Sequence, residues 1–437
     1  MERLAVLGGP QVRTRPYPPH VTTDEADWHA AQHVLQRGVL SGFEGANTPD
    51  FWGGPEVKAL EREWAERFGV RHAVAMNSAT SCLMAAVGAV GVGPGDEVIL
   101  TPWTMTATAA AVLVYHAIPV FCDIEEDTFT LDPAAVRRAI TPRTRAIMPV
   151  HLFGHPAELD PILDLARAHG LAVIEDAAQS PGARYRGRLT GTLGQIGVFS
   201  LNSNKIIQCG EGGVAVTNDD ELALRLRLIR NHAEAVIATG MPVKNLVNMV
   251  GGNYRMTELE AAIARVQLQK LDDLLMRRLE LVEYLNHRLA ELPGLIIPPV
   301  KSGCTHTYYR YPVTLAPGVV PVPSRTFVRV LNAEGMSFYS GYEPLYLQPL
   351  YQMRIAFGKD GCPLACGHYQ GHARYERGLC PVAERLQDEV LSTEVVRPPL
   401  TIQDMDEIVE AFSKVLSQPE ELLRAQAELA EVAAVDG

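Results

Sequence analysis

Residues 200–213 read SLNSNKIIQCGEGG, and Lys205 stands alone in them, with no charged residue within five positions on either side. The stretches that flank it, IGVFSL (196–201) and GVAVTN (213–218), have the short apolar pattern of strands. A surface lysine ordinarily keeps charged company. A lysine in a loop between two buried strands, just ahead of a glycine cluster, poses a desolvation problem. Either its ammonium finds a buried partner, or it is not an ammonium in the working state.

Upstream of this loop, strand and helix patterns alternate. HAVAMNS (72–78), EVILTPW (97–103), IPVFCDI (118–124), TRAIMPVHL (144–152) and LAVIEDAA (171–178) read as strands. Helical stretches separate them, and an amphipathic helix over 56–69 precedes them, with Val57, Leu60, Trp64 and Phe68 on one face. Such alternation predicts an α/β architecture: a mostly parallel central sheet covered on both sides. Residues 1–55 read as an N-terminal arm and 56–270 as a large ligand-binding domain. Residues 271–437 read as a linking helix and a smaller α+β domain, the helix starting near 257 as one long element or two joined ones.

The 437 residues carry a net charge of −12, which argues against a nucleic-acid binder, and no apolar run is long enough to span a membrane. Without a secretory signal pattern, the seven cysteines read as reduced thiols of a cytoplasmic protein. Cys362, Cys366, His368 and Cys380 do not have the paired spacing of a zinc site, so no metal is expected, and that loop reads as one with free cysteines. No G-x-G-x-x-G follows the first strand, which argues against a nicotinamide-binding enzyme.

Ligands of such sheets sit at the carboxyl ends of the strands, and polar residues gather at four of those ends. Ser78, Ala79 and Thr80 open a helix, a place where backbone N–H groups attract anions, although plain N-capping explains them as well. Trp103 offers a flat surface to a ring, or simply fills core. Glu175 and Asp176 end an apolar strand, with Gln179 close behind; a buried acid there needs a partner such as a protonated ring nitrogen. Ser200 and Lys205 are the fourth group. An anion cradle, a ring surface, a carboxylate and a buried lysine together fit one ligand, pyridoxal phosphate (PLP). Desolvation favours the neutral amine of such a lysine, which is how catalytic lysines become nucleophiles.

Taken in order, NSAT (77–80), EVILTPWTMTATAAAV (97–112), PVHLFGHPAELDPI (149–162), VIEDAAQSPGA (173–183), the 198–213 stretch, GGNYRMTELEAAI (251–263) and LCPVAERL (379–386) resemble the sugar and cyclitol aminotransferases of the DegT/StrS type. These are fold type I PLP enzymes, and the resemblance runs from about residue 3 to about residue 415. It implies that Lys205 forms the Schiff base and shuttles the proton, that Asp176 partners the pyridine nitrogen and that Gln179 lies near the phenolic oxygen. Ser200 with Ala79 and Thr80 would cradle the phosphate, and Asn253 would be a phosphate ligand lent by the neighbouring subunit of a homodimer. The chain departs from the pattern at Met105, where the family usually has an aromatic residue, and at Ala79, where it usually has glycine.

The resemblance also implies an amino donor, glutamine or glutamate, and a keto-cyclitol or keto-sugar acceptor in aminocyclitol or aminosugar biosynthesis. His306, Tyr342 and Tyr346 are candidates for the acceptor site. The alternative is a different reaction on the same cofactor: elimination, retro-aldol cleavage or ring aromatisation, as in an aminohydroxybenzoate synthase.

Overall fold

The computed structural model describes residues 3–435. Nine strands precede the long helix: β1 (His72–Met76), β2 (Glu97–Leu100), β3 (Ile118–Phe121), β4 (Thr144–Met148), β5 (Ala172–Asp176), the two-residue pair β6 (Arg184–Tyr185) and β7 (Arg188–Leu189), then β8 (Ile196–Ser200) and β9 (Gly213–Thr217). Seven of them form one sheet in the order β1-β9-β8-β5-β4-β2-β3. All its pairings are parallel except those of β9, which runs antiparallel to both β1 and β8. The reversal follows from the chain: no helix separates β8 from β9, and a parallel return needs a crossover.

Side chains alternate across the sheet, and each face has its own core. Val74 and Met76 face one way, with the helix Ala79–Ala89; Ala73 and Ala75 face the other, with the helices Pro55–Phe68 and Glu258–Leu289. The same alternation splits the acid pair that ends β5. Glu175 follows the side of Val173, and Asp176 that of Ile174. Neither is a surface acid. Glu175 is fully buried and accepts from His151 Nε2 at 3.0 Å and from the backbone N–H groups of Gly191, Leu193 and Gly194 at 2.6–2.8 Å. His151 Nδ1 accepts from the Ala157 N–H, which leaves Nε2 as the donor to Glu175.

The segment after residue 257 is one helix of 32 residues, Glu258–Leu289, started by a capping box between Thr257 and Glu260. Ala261, Ala264, Leu268, Leu271 and Leu275 pack under the large sheet, while Leu281, Val282, Leu285 and Leu289 enter a second core. Around that core stands an antiparallel sheet of β10 (Leu295–Ile296), β11 (Tyr311–Leu315), β13 (Val390–Thr393) and β12 (Tyr339–Ser340), in that order. The N-terminal arm joins both bodies. Leu4 and Leu7 lie in the second core, and Arg13 pairs with Asp404. Thr22 and Asp27 then bond Gln267 of the long helix.

The expectation of free cysteines fails at one pair. Cys362 and Cys366 form a disulfide, their Cα atoms 4.9 Å apart because the turn between them folds back within bonding range. Cys380 is buried elsewhere, at the start of the helix Pro381–Leu386. Among the described residues no helix is long and apolar enough to cross a membrane.

Glu258 locks arm, large domain and long helix together. It is fully buried and accepts from the N–H groups of Glu56 and Val57, in the first turn of Pro55–Phe68, at 2.9 and 3.3 Å. It also pairs with Arg37 at 3.1 Å. A β-carbon on Gly54 would lie 2.5 Å from its carboxyl carbon, so the glycine makes room for the acid. Replacing Glu258 by alanine takes the acceptor from two helix-end N–H groups and leaves Arg37 with Glu56 as its remaining carboxylate. The E258A variant should lose about 2–4 kcal/mol, read as a lowered urea midpoint; an unchanged midpoint would remove Glu258 from this role.

Candidate active site

Four chain segments meet at the carboxyl end of the large sheet. Met76 pairs with Gly213, and Gly213 pairs in turn with Ser200. This registers the turn after β1, the end of β8 and the start of β9 side by side. A β-carbon on Gly213 would lie 2.5 Å from the Ala79 nitrogen, closer than any side chain is tolerated. The loop 201–212 therefore returns onto the helix start at Ser78–Thr80 and carries Lys205 there. Asp176, at the end of β5, which neighbours β8, faces the same space.

That space is a cavity of about 360 Å³. Ser78, Ala79, Thr80, Met105, Asp176, Gln179, Ser200, Lys205 and Tyr342 all line it. The sequence reading missed Thr104, Thr108, Tyr309 and Arg310, which line it too. Thr108 was detectable in principle, four residues after Thr104 in the first turn of the helix Ala107–Val114. Tyr309 and Arg310 sit in HTYYR (306–310), where nothing local separates site residues from core ones.

Burial pulls the Lys205 ammonium down to about 8, with Arg310 pushing the same way against the attraction of Asp176 and Glu394. Its nitrogen lies 4.1 Å from the centre of the Tyr309 ring, and its own carbonyl accepts from His20 Nε2 of the arm at 2.9 Å. Burial pushes the Asp176 carboxyl up, against hydrogen bonds from Thr108 Oγ1 (2.9 Å) and the Ala178 N–H (3.2 Å). Each group is costly as an isolated ion. A cationic ring nitrogen beside Asp176 and a covalent carbonyl carbon on Lys205 would relieve both costs.

The helix start suits a phosphate. Ser78 Oγ is engaged as the N-cap, accepting from the Ser81 N–H at 3.0 Å. The Ala79 and Thr80 N–H groups, in the first turn, have no intrahelical acceptor to use. Alanine in place of glycine leaves that N–H in place. Ser200 Oγ accepts from the Asn202 N–H at 3.3 Å and keeps its proton to donate. The residues present fit pyridoxal phosphate.

Gln179 accepts from the Phe153 N–H through Oε1 at 2.7 Å and lines the cavity with Tyr342. The remaining expected residues lie elsewhere. Trp103 is fully buried behind the cavity wall, between Phe129 (5.8 Å) and the edge of Tyr342 (6.2 Å). Met105, 62% exposed, reaches the mouth instead. Tyr346 is buried against Glu384 and the Cys380 N–H, and His306 is stacked on Tyr308 at 3.7 Å; neither lines the cavity. Asn253 is exposed and does not line it within this chain.

Comparison with known proteins agrees with this geometry. The family model described as the DegT/DnrJ/EryC1/StrS aminotransferase family matches residues 44–413. The L-glutamine:scyllo-inosose aminotransferase of Streptomyces griseus is 36% identical over 440 aligned positions, covering 96% of this chain and 99% of that protein. The GDP-perosamine synthase of Caulobacter vibrioides is 41% identical over 298 positions, 68% of this chain and 78% of that one. The crystal structure of S. venezuelae DesV in complex with a ketimine intermediate superposes with a TM-score of 0.75 at 34% identity, covering 89% of this chain and 94% of that chain. The fold is that of the type I PLP enzymes, the cofactor is pyridoxal phosphate, and this chain belongs to the DegT/DnrJ/EryC1/StrS aminotransferase family.

Proposed function

We propose that this enzyme moves the amino group of glutamine or glutamate onto a keto-cyclitol, or a keto-sugar of similar size, in the making of aminocyclitol or aminosugar natural products. The observation that carries the reading is the cavity in which Lys205 lies beside Asp176 under the Tyr309 ring. Bound there, pyridoxal phosphate supplies an electron sink for the bond broken at the donor's α-carbon. Asp176 keeps a proton on the ring nitrogen. The Ala79 and Thr80 N–H groups and the Ser200 hydroxyl hold the phosphate. Lys205 Nζ would hold the cofactor at its carbonyl carbon, and as a free amine it would take the donor's α-proton and return it.

An uncharged polyhydroxylated acceptor suits the lining. Lys205 and Arg310 are the only cations among the residues that line the cavity, and Glu211 stands there with Asn202 and Asn204. A nucleotide-linked sugar would bring a diphosphate past an acid. A relative that this chain matches almost end to end is named for glutamine and an inosose, which supports the same choice. The working unit in this reading is a homodimer. Leu246, Val247 and Val250 are 65%, 53% and 77% exposed, just ahead of Asn253. A second copy seated there would cover them and bring its Asn253 to the phosphate.

Incubation with ¹⁵N-amine-labelled glutamine or glutamate and scyllo-inosose or 2-deoxy-scyllo-inosose should give a labelled aminocyclitol by mass spectrometry. Labelling only of a nucleotide-linked keto sugar would overturn the choice of acceptor. The D176N variant should keep the phosphate cradle and bind cofactor, yet transfer amine about 100-fold more slowly or worse; transfer near the parent rate would remove Asp176 from its role. The Lys205 amine, at about 8, becomes nucleophilic as it loses its proton. Cofactor uptake by the cofactor-free protein should therefore rise about tenfold from pH 6 to 7 and level off above pH 8. A rate still climbing tenfold per unit at pH 9 would mean an ordinary, solvated lysine.

A further inference from the structure

Lys205 sits in irregular backbone, and its placement needs support from outside the loop. Two backbone bonds of 2.9 Å close the base of the loop, from the Leu201 N–H to the Gly212 carbonyl and from the Cys209 N–H to the Leu201 carbonyl. Nearer the lysine the loop supports itself on one side only. The Lys205 N–H donates to the Asn202 carbonyl at 2.9 Å, which closes a turn, but no backbone N–H among the described residues reaches the Lys205 carbonyl. That carbonyl is served by His20 Nε2 of the arm, 2.9 Å away and 185 positions earlier in the chain. A carbonyl can only accept, so Nε2 carries the proton. Burial pulls the imidazolium form of the ring down to about 4, with Arg397 and Arg278 pushing the same way. The ring is therefore neutral at pH 7, and Nδ1, buried with no partner among the described residues, holds a lone pair. Its one hydrogen bond among those residues goes to the backbone of the lysine.

The arm around His20 is itself tied down. Thr22 Oγ1 accepts from Gln208 Nε2 of the lysine loop at 3.3 Å. The Thr22 carbonyl accepts from Gln267 Nε2 and Lys270 Nζ of the long helix at 3.0 and 3.2 Å, and Gln267 is fully buried. Residues 20–22 thus cross the loop and end on a rigid helix, which makes His20 a fixed point. Ile206 and Ile207, next in the loop, are buried in the core beneath the sheet. The backbone of Lys205 is therefore held before, after and at its carbonyl, while its side chain is left to reach the space under the Tyr309 ring.

We propose that His20 is a positioning residue for Lys205: its N–H fixes the carbonyl of the lysine, so that only the side chain moves when Nζ binds the cofactor and leaves it. Without that bond the loop spreads over more conformers, and fewer of them hold Nζ within reach of the reacting carbon. The proposal rests on Lys205 being the residue that holds the cofactor. His20 makes no hydrogen bond to Ser78, Ala79, Thr80, Ser200 or Asp176, so its loss leaves the cradle for the phosphate and the acid for the ring in place.

The test is covalent uptake of pyridoxal phosphate by the cofactor-free protein, followed by absorbance at rising cofactor concentration. H20F keeps the bulk of the ring and loses the donor. H20Q loses the ring and keeps an N–H at the same remove from the backbone. The limiting rate should fall about tenfold or more in H20F and stay within about threefold of the parent in H20Q, with the half-saturating concentration within about twofold in both. H20A, which removes ring and donor together, should repeat the H20F result and stands in for it if the larger side chain prevents folding. The pH at which uptake levels off should stay at about 8 in every variant, because the amine remains buried. Parent-like limiting rates in H20F and H20A would overturn the role, as would equal losses in H20F and H20Q, which would make the packing of the ring the cause. A levelling point moved up toward that of an ordinary lysine would overturn it too, by showing that the loop has opened. Borohydride trapping of the cofactor on another lysine would overturn the assignment of Lys205 and this proposal with it; trapping on Lys205 with parent-like rates in H20F would overturn this proposal alone.

Discussion

The site depends on the close approach of two backbones at Gly213. This residue pairs with Met76 on one side and Ser200 on the other, and no side chain fits between it and Ala79. Because it fits, the helix start that can hold a phosphate, the serine that ends β8 and the loop bearing Lys205 are drawn to one end of the sheet. Strand pairing thus does most of the positioning, and the loop needs to place only the lysine. Backbone hydrogen bonds are short and directional, so the placement is fixed more tightly than side-chain packing alone would fix it.

A second constraint is electrostatic. Lys205 and Asp176 occupy a place where each is pushed toward its neutral form, and burial is the main cause for both. The fold tolerates this by giving Asp176 two hydrogen bonds and Lys205 an aromatic face. Other buried acids show what full satisfaction looks like. Glu175, the next residue along the strand, is held by His151 and three N–H groups, and that network keeps its carboxyl below its ordinary range in spite of burial. The contrast within one dipeptide separates a structural acid from one free to act on a ligand. The segment that leads into β11 completes the cavity by sending in Tyr309 and Arg310, and the arm touches the lysine loop through His20.

Much of this was legible in the sequence where the signal is local. Strand and helix alternation gave the sheet, because each element carries its own period. Asp176, Lys205 and the helix start at Ser78–Thr80 were legible because strand ends and helix starts are read from neighbouring residues. What depends on distant packing was not. The direction of β9 needed the absence of a helix after β8 to be weighed. Trp103 and Met105 lie two apart in a loop with no regular alternation, so the sequence could not say which faces the cavity. Tyr346 and His306 look like Tyr309 and Arg310 until tertiary packing places them, Tyr346 in the core of the large sheet and His306 against Tyr308. The disulfide at Cys362 and Cys366 needed the backbone turn between them.

The central claim is that Lys205 is the residue covalently joined to the cofactor. Borohydride reduction of the cofactor-loaded enzyme, followed by proteolysis and peptide mass mapping, tests it directly. The account predicts one pyridoxyl adduct, on the peptide that contains Lys205. An adduct on another lysine, or none on a protein that retains its cofactor, would contradict it.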